Sequence, residues 1–293
     1  MSAPAIETDR GGAQLEAGLD ALETGPVEAR PPWWRRTLSS ALPPAFALLS
    51  ILLVWQIIEV TARPDTLPGP QEVWASLFGQ WQAGRIQHAV LTSLERGVLG
   101  FLLSVVIATP IGLLLARITL LRRAFRPLIS GLQSLPSVAW VPAAILWFQL
   151  NESALYFVIL MGAIPSIVNG TISGLDQVPP IYQRVGHVLG ARGLTLARYV
   201  LLPAALPGYL GGLKQGWAFS WRSLMAAELI VSSGDLGTGL GQLLDQSRTL
   251  GDLPGVVAGI ISILLVGIAV ELFVFAPAER HVLKRRGLLG AHH

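Results

Sequence analysis

The amino-acid sequence predicts an all-α membrane protein with about six transmembrane helices. Of its 293 residues, 52% are hydrophobic and only 13% are charged, whereas a soluble domain carries about 25% charged residues. The apolar stretches are long and continuous and do not alternate with polar residues, which favours helices over the strands of a membrane β-barrel. These observations predict one helical membrane domain over residues 37–286.

Two short segments flank the predicted domain. Residues 1–36 are acidic, rich in Gly, Ala and Pro, and contain no apolar run of the kind found in a signal peptide. This composition favours a disordered cytosolic tail without a cleaved signal. A docking or regulatory helix is the alternative, because Leu15, Leu19 and Leu22 would share one helical face. Residues 287–293 are predicted to form a C-terminal tail.

Six apolar stretches are each long enough to cross the hydrocarbon core, which takes about 20 helical residues. In chain order they cover residues 44–62, 97–116, 128–150, 153–175, 205–230 and 254–276. The fifth stretch differs from the others because it carries Lys214, Arg222 and Glu228.

Four prolines are expected to interrupt the middle spans: Pro110, Pro136, Pro142 and Pro165. Ordinary kinking is one explanation, because proline is common in transmembrane helices. The other is a solute pathway, since broken helices at membrane depth are tolerated where they line a wet cavity. Asn169 follows one of these prolines and is a candidate pathway residue.

Basic residues predict which loops face the cytoplasm, because cytoplasmic loops accumulate Lys and Arg. They precede the first span and follow the second, fourth and sixth, whereas the opposite loops hold only Arg63, Arg85, Arg96 and Arg248. Both termini are therefore predicted to be cytoplasmic. This topology also accounts for the pI near 9.7, so we expect no nucleic-acid partner.

The loop between the fourth and fifth spans is amphipathic and interrupted by glycine. One side of a helical wheel over residues 184–200 collects Val185, Leu189, Leu196, Tyr199 and Val200, with Arg192 among them, and the other collects Arg184, His187 and Arg198. Gly190 and Gly193 would each cost a single long helix about 1 kcal/mol. We therefore predict two short helices that meet near Gly190. Pro203 would then begin the next membrane helix, where its missing N–H is harmless.

Gly190 is followed, after nine residues, by Val200-Leu201-Leu202-Pro203. This spacing resembles the signature of ABC-importer permeases, in which Glu-Ala-Ala, three residues and Gly precede nine more residues and Ile-x-Leu-Pro. Further blocks agree: LPGPQEVW (67–74), PAAILWF (142–148), LLPAALP (201–207) and AAELIVSSGDLGTGLGQLL (226–244). Over roughly residues 67–286 the chain is similar to the nitrate/sulfonate/taurine/bicarbonate branch of the binding-protein-dependent, type I permeases. It departs from the pattern at the Glu-Ala-Ala triplet, which is Arg184-Val185-Gly186 here, so the carboxylate is missing while the helix–glycine–helix shape remains.

The resemblance implies the type I ABC importer permease fold, with cytoplasmic coupling helices in a coupling loop at residues 180–203. It implies four kinds of partner: two ATP-binding subunits, a second copy of the chain, an extracytoplasmic solute-binding protein and membrane lipid. The residues expected to couple to the ATPase are Arg184, Val185, Leu189, Gly190, Arg192, Leu196, Arg198 and Pro203. The alternative for this loop is an amphipathic element lying on the inner leaflet.

The chain lacks the motifs that would make it an enzyme by itself. No G-x-x-x-x-G-K-[ST] occurs, so we expect ATP and Mg on the partner ATPase and no cofactor on this chain. There is no cysteine, and the five histidines lack metal-ligand spacing. We therefore expect no metal site.

Charged and aromatic residues of the fifth span are candidates for a solute pathway, because charges within a span are costly and usually functional. The candidates are Lys214, Trp217, Trp221, Arg222 and Glu228, together with Asn169 on the fourth span. The two cations would suit an anion, and arginine can bind an oxyanion in bidentate fashion. Structural roles are the alternative: Lys214 at the inner surface, and Arg222 paired with Glu228 or Glu59.

The expected solute is a small anion. Because the resemblance implies that selectivity resides mainly in the binding protein, we expect an aliphatic sulfonate or taurine first, nitrate or bicarbonate second, and a pyrimidine vitamin precursor third. Two other function classes compete: a stand-alone secondary transporter or channel without an ATPase, and a membrane scaffold. A secondary carrier would typically show related halves and buried ion-coupling carboxylates, and the sequence shows no internal repeat.

Overall fold

The structure, a computed structural model, describes residues 33–62, 67–231 and 237–285. Over these ranges the chain forms helices and no β-strand, which confirms the predicted all-α class. The chain divides into two compact units, Met1–Thr61 and Ala62–His293. The predicted tails lie outside the described residues, except that residues 33–36 belong to the first helix. The tails therefore stay predictions.

The first unit contains helix α1 (Trp33–Ala62), whose apolar part is Ala45–Thr61. Apolar side chains such as Phe46 and Leu49 are exposed along this part of the helix. A helix with an apolar exposed surface is suited to lipid contact, but its apolar part is shorter than the membrane-length helices of the second unit. The first predicted span therefore stays a prediction.

The second unit contains eleven further α-helices among its described residues. These are α2 (Pro70–Gln82), α3 (Arg85–Arg117), α4 (Thr119–Ser134), α5 (Val141–Phe148), α6 (Glu152–Asp176), α7 (Pro180–Val188), α8 (Gly193–Leu196), α9 (Leu202–Glu228), α10 (Leu240–Thr249), α11 (Leu253–Val270) and α12 (Ala276–Arg285). A 3₁₀ turn (Ser137–Trp140) precedes α5, and π-helical turns (Ala197–Leu201 and Glu271–Phe275) precede α9 and α12.

Local sequence explains where several helices begin. The Asn151 side chain accepts the Ser153 N–H at 2.8 Å at the start of α6, and Asp252 accepts the Gly255 N–H at 3.0 Å at the start of α11. Both act as N-caps for otherwise unsatisfied amides. Each π-helical turn lies directly before a proline of the following helix, Pro203 or Pro277. Proline lacks the N–H and its ring displaces the carbonyl four residues earlier, so the helix widens locally.

Within the part of the chain that the structure describes, three helical segments are long and apolar enough to cross a membrane: Arg85–Arg117, Glu152–Asp176 and Leu253–Arg285. Helix α4 and the segment Ser137–Phe148 qualify together, but they are bent by 97°. The third predicted span, at 128–150, is therefore not one straight helix, and it is bent at the interruption that its prolines predict. Leu135 and Pro136 both adopt extended backbone angles, because a residue before proline avoids the helical region and proline cannot continue the hydrogen bonds of α4.

The prolines of the middle spans behave in two ways. Pro136 separates α4 from the 3₁₀ turn and Pro142 lies in the first turn of α5, so both coincide with a break, as predicted. Pro110 and Pro165 instead lie inside the single helices α3 and α6, so the prediction that they interrupt their spans is wrong. Neighbouring helices can hold a proline-containing transmembrane helix together, and Pro165 is buried among its neighbours.

Helix α6 packs against α9 along a line of small residues, here called the α6–α9 seam. Its members recur every four residues: Gly162, Ser166, Gly170 and Gly174 on α6, and Gly208, Gly212, Gly216 and Ser220 on α9. A Cβ added to Gly170 would lie 2.2 Å from the Cα of Gly212, and one added to Gly208 would lie 2.6 Å from the Cα of Gly174. The two backbones therefore touch, as in other tightly packed membrane helices. On its other side α6 packs against α3.

Candidate functional site

The chain bends between the end of α6 and the start of α9, where α7 and α8 lie. Gly190 has a φ of +84°, in the left-handed region that only glycine adopts at little cost. The N–H of Ala191 donates to the Gly186 carbonyl at 2.9 Å, which closes the end of α7. The structure thus has the two short helices near Gly190 that the sequence predicts.

Leu196 holds this bend together from inside. Its side chain is only 8% exposed, and a Cβ added to Gly186 would lie 2.4 Å from the Leu196 Cδ1. Leu196 therefore fills the space that Gly186 leaves open between α7 and α8. Leu196 was predicted to couple to the ATPase, but its side chain is already buried within the chain and does not belong to the exposed surface of the bend.

The bend carries an exposed apolar surface, here called the coupling face. Its members are Ile181, Tyr182, Val185, Val188, Leu189 and Tyr199. Leu189 is 80% exposed and Val188 is 87% exposed. Four of the members, together with Gly186 and Pro203, line a hollow of about 700 Å³. Such exposed apolar surface on a cluster of short helices is characteristic of a protein-binding site.

Three arginines lie in the same segment of the chain as the coupling face. Arg184, Arg192 and Arg198 are exposed, and within the described ranges none of them forms an ion pair. The guanidinium of Arg198 lies 5.8 Å from the ring centre of Tyr199. An apolar centre with a charged rim is the usual anatomy of a protein interface.

Lys214 is paired with two carboxylates on the C-terminal helical run. Its Nζ lies 2.5 Å from Glu271 and 3.8 Å from Glu279, and all three side chains are partly exposed. These two ion pairs connect α9 to the start of the last π-helical turn and to α12. Because its charge is balanced, Lys214 offers little positive potential to a passing anion, and the structure favours its structural role over the predicted pathway role.

Trp217 and Trp221 are core residues of the bundle. Both are buried, their rings stack with centres 6.1 Å apart, and Phe101 of α3 meets Trp217 edge-on at 5.5 Å. A Cβ added to Gly97 would lie 3.5 Å from Trp217. These rings pack α9 against α3, so the prediction that they line a solute pathway is wrong.

Glu228 is also buried, with no exposed surface, and its partner is Arg96 of α3. The Arg96 Nη1 donates to the Glu228 Oε1 at 3.1 Å. The sequence predicted that Glu228 either lines the solute pathway or pairs with Arg222. The structure shows neither, because the carboxylate is buried against Arg96. Glu59 accepts a hydrogen bond from Gln56 of its own helix.

Arg222 lies on an exposed stripe of α9 that also contains Gly211, Gln215 and Ala218. Its Nε donates to the Ala218 carbonyl at 3.1 Å, and its guanidinium lies 4.5 Å from the ring centre of Phe219. No acidic side chain of the described chain pairs with it. The two terminal nitrogens are thus left to bind an external acceptor.

Asn169 is half-buried and donates to Gln133 of α4 at 2.6 Å. This amide pair joins α6 to the end of α4, two residues before the break that begins at Leu135. Polar side chains at a helix break are typical of pathways in transporters. Sequence reasoning identified Asn169 but missed Gln133.

A family model for the binding-protein-dependent transport system inner membrane component matches residues 108–280, more than half of the chain. A putative ABC transporter permease protein of Methanocaldococcus jannaschii is 31% identical to this chain over 225 residues, which are 75% of this chain and 83% of that protein. This chain belongs to the binding-protein-dependent ABC permease family.

Other relatives and a solved structure agree with this assignment. The bicarbonate transport system permease protein CmpB of Synechococcus elongatus is 29% identical over 86% of this permease and 92% of that protein. The nitrate import permease protein NrtB of Leptolyngbya laminosa is 28% identical over 84% and 90%, respectively. The MetNI methionine ABC transporter, solved in inward-facing conformations, has a chain that matches 66% of this permease and 94% of itself, with a TM-score of 0.54 and 21% identity. That similarity shows the type I importer fold.

Membership makes the permease a multi-pass inner-membrane transport subunit of an ABC importer rather than an enzyme. It also implies ATP-binding subunits, a solute-binding protein and dimerisation of the permease. Within the described ranges, no three His, Asp or Glu side chains converge on a possible metal site.

Sequence reasoning missed three residues of the coupling face, Ile181, Tyr182 and Val188, and the buried cation Arg96. The helical wheel began at residue 184, although Pro180 in the first turn of α7 marks an earlier start. Arg96 was assigned to a loop at the membrane edge, but α3 begins at Arg85. The uninterrupted helical pattern from Arg85 onward was the signal that could have placed Arg96 inside a helix.

Proposed function

We propose that the permease moves a small inorganic oxyanion of the bicarbonate and nitrate class into the cell. The observation that carries this proposal is the full-length similarity to permeases named for bicarbonate and for nitrate, which covers 84 to 86% of the chain. Neither of these relatives is named for a sulfonate, so sulfonate or taurine becomes the second choice and a pyrimidine precursor the third. Both termini are proposed to be cytoplasmic.

The charge pattern of α9 supports an oxyanion. Arg222 is exposed and has no acidic partner in the described chain. Only its Nε donates within the chain, to the Ala218 carbonyl, so both terminal nitrogens remain available to an anion. Lys214, by contrast, is neutralised by two carboxylates. A planar guanidinium matches two oxygens of bicarbonate or nitrate. Contact with one such residue would be weak enough for the ion to leave again, as conduction requires.

Coupling to ATP is proposed to act through the coupling face. A pair of ATP-binding subunits would hold the exposed apolar side chains around Val185 and Leu189, with Arg184, Arg192 and Arg198 at the rim. Because the α6–α9 seam joins the two helices that flank the bend, motion of the bend would move both as one rigid body. We propose that this motion opens and closes the path between two copies of the permease.

Uptake into proteoliposomes tests the solute. Liposomes would contain the permease with its ATP-binding subunits and receive the cognate binding protein outside, with ATP inside. Labelled bicarbonate and nitrate are expected to accumulate, and taurine to accumulate less. Accumulation of taurine alone would refute the oxyanion proposal. Uptake by liposomes that hold only the permease would favour the secondary-transporter class.

Replacement of Arg222 by leucine is expected to reduce oxyanion uptake by about tenfold or more, the equivalent of one lost charge-assisted hydrogen bond. The ATP-binding subunits should remain attached, because Arg222 lies several turns from the bend. Arg222→Lys should give an intermediate rate, since it keeps the charge and loses the planar fork. Arg248→Leu, at an exposed arginine of α10, is the matched control. If Arg222→Leu and Arg248→Leu take up the oxyanion at equal rates, Arg222 does not contact the solute and its role is structural.

A further inference from the structure

A buried polar cluster lies where α3, α9 and α10 meet, at the end of α9 far from the bend. Arg96 is 3% exposed and Glu228 has no exposed surface. Besides the guanidinium, the Glu228 carboxylate accepts the Ser93 hydroxyl, 2.8 Å from Oε2, and the Gly241 N–H at 3.0 Å. The carboxylate therefore receives hydrogen bonds from two helices other than its own.

The same groups fasten the chain that enters α10. The Leu240 N–H donates to the Ser93 Oγ at 2.8 Å, and the Arg96 Nη2 donates to the Gly237 carbonyl at 3.1 Å. A Cβ added to Gly239 would lie 2.2 Å from the Glu228 Oε1. Residues 237–241 thus sit directly on the ion pair, without room for a side chain between them.

Arg96 also reaches the start of α6. Its Nε lies 3.5 Å from the Oε1 of Glu152, the first residue of that helix, whose side chain is 54% exposed. One guanidinium therefore links α3 to the first residue of α6, the last residue of α9 and the segment before α10. It is shared between a carboxylate in the interior and a carboxylate at the surface.

Stability alone is a weak reason for such a cluster. Removing two charges from water costs several kcal/mol per ion, and replacing a buried ion pair by apolar residues is often neutral or stabilising. Charged residues within membrane helices are instead usually functional. Nine buried apolar residues form one core cluster here, Trp221 and Leu224 among them, so apolar packing is available at this end of α9.

The cluster and the coupling face lie at opposite ends of one rigid unit. Helices α6 and α9 are joined along their length by the α6–α9 seam, and α9, at 27 residues, spans about 40 Å. Arg96 contacts both helices of this unit at one end, and the bend of α7 and α8 joins them at the other. A displacement at either end is therefore transmitted to the other end without bending the pair.

We propose that the Arg96–Glu228 pair positions the segment 237–241 and α10 on the α6–α9 unit. Through this connection, the arrival of the loaded binding protein at this end changes the activity of the ATPase at the coupling face. This inference rests on the proposed function, since it needs both partners. Arg96, Ser93 and Glu228 are positioning residues in it and touch no solute.

The test compares basal with binding-protein-stimulated ATPase activity in the whole reconstituted importer. Glu228→Gln keeps the shape of the side chain and removes its charge. Its basal rate should stay near that of the unaltered importer, while the stimulation should fall about tenfold, the usual size of a coupling between two sites. Stimulation at the unaltered level in assembled Glu228→Gln importer would overturn the inference.

Ser93→Ala covers the case in which Glu228→Gln does not assemble. It removes only the hydroxyl that bridges Glu228 and the Leu240 N–H, so stimulation should fall about threefold, as for one net hydrogen bond, with assembly intact. Failure of both variants to assemble would mean that the cluster is needed only for folding, and would overturn the inference.

A double variant separates structure from communication. Arg96→Met combined with Glu228→Met should restore assembly through apolar packing but not stimulation. Restored stimulation would show that the charges are not needed, which contradicts the inference. Asp245→Asn, at a partly exposed carboxylate of α10 that pairs with Arg248, is the matched control and should leave stimulation unchanged. If the unaltered importer itself shows no binding-protein stimulation, the proposed function fails, which is distinguishable from failure of the inference alone.

Discussion

Leucine in place of Gly212 is expected to prevent the permease from folding into a stable bundle. A Cβ at Gly212 would lie 2.5 Å from the Cα of Gly170, and that atom belongs to backbone, which cannot rotate away. Overpacking of a core usually costs about 1–3 kcal/mol, and a clash between two backbones belongs at or above the top of that range. Because a protein is stable by only about 5–15 kcal/mol, the loss should appear as a lower melting temperature in detergent and a smaller monodisperse peak in size-exclusion chromatography.

The neighbouring glycine provides the control for this prediction. A Cβ at Gly211 would meet nothing within 4 Å, and the same holds for Gly79 on α2. Gly211→Leu and Gly79→Leu should therefore fold as the unaltered chain does, since leucine is a better helix former than glycine. Gly212→Ala should fall between the two. Equal melting temperatures for Gly212→Leu and Gly79→Leu would mean that the seam is not as tight as the structure shows.

The spacing of the seam was readable in the sequence but does not by itself identify a contact. Gly208, Gly212 and Gly216 recur every four residues, which is the small-xxx-small pattern of tightly packed membrane helices. The pattern indicates that some helix approaches closely and leaves the identity of that helix open. Only the fold brings Gly170 and Gly174 of α6 to this face.

The second, fourth and sixth predicted spans lie in helices that are long and apolar enough to cross a membrane, whereas the first has only a shorter apolar helix. Long apolar stretches had to become membrane-length helices, because lipid leaves no other way to satisfy the backbone. The third span is bent at Leu135 and Pro136, where proline predicts the break. Pro110 and Pro165 were wrongly expected to interrupt their spans, because packing by neighbouring helices keeps α3 and α6 continuous.

Features of the candidate site that depend on neighbouring residues in the sequence were predicted well. Features that depend on contacts with distant residues were predicted poorly. The bend at Gly190 follows from glycine spacing within a few residues, and the structure has it. Glu228 was assigned to the pathway because its partner, Arg96, is 132 residues away. Trp217 and Trp221 are four residues apart and so share a helical face, but periodicity does not show whether that face meets solute or α3.

Aspartate in place of Leu189 is expected to release the ATP-binding subunit from the permease. Leu189 is 80% exposed and borders the hollow of the coupling face, so the substitution should leave the fold of the permease intact. Placing a charge in the apolar centre of an interface removes a contact of the size of a hot spot, about 2 kcal/mol or more, and adds the cost of burying a carboxylate. That is about a thirtyfold loss of affinity. Co-purification of the ATP-binding subunit with tagged permease in detergent measures it, and Val188→Asp should behave alike.

Leu250→Asp is the matched control for this loss, because Leu250 is 83% exposed but follows α10, at the other end of the α6–α9 unit. It introduces the same charge at the same exposure and should retain the ATP-binding subunit fully. Leu196→Asp is expected to fail differently, with a lower melting temperature of the permease itself, since Leu196 is buried against Gly186. If Leu189→Asp and Val188→Asp retain the ATP-binding subunit as Leu250→Asp does, the exposed apolar surface of α7 is not where the two proteins meet. Contact of the bend with the inner leaflet, the alternative given by the sequence, would then account for that surface.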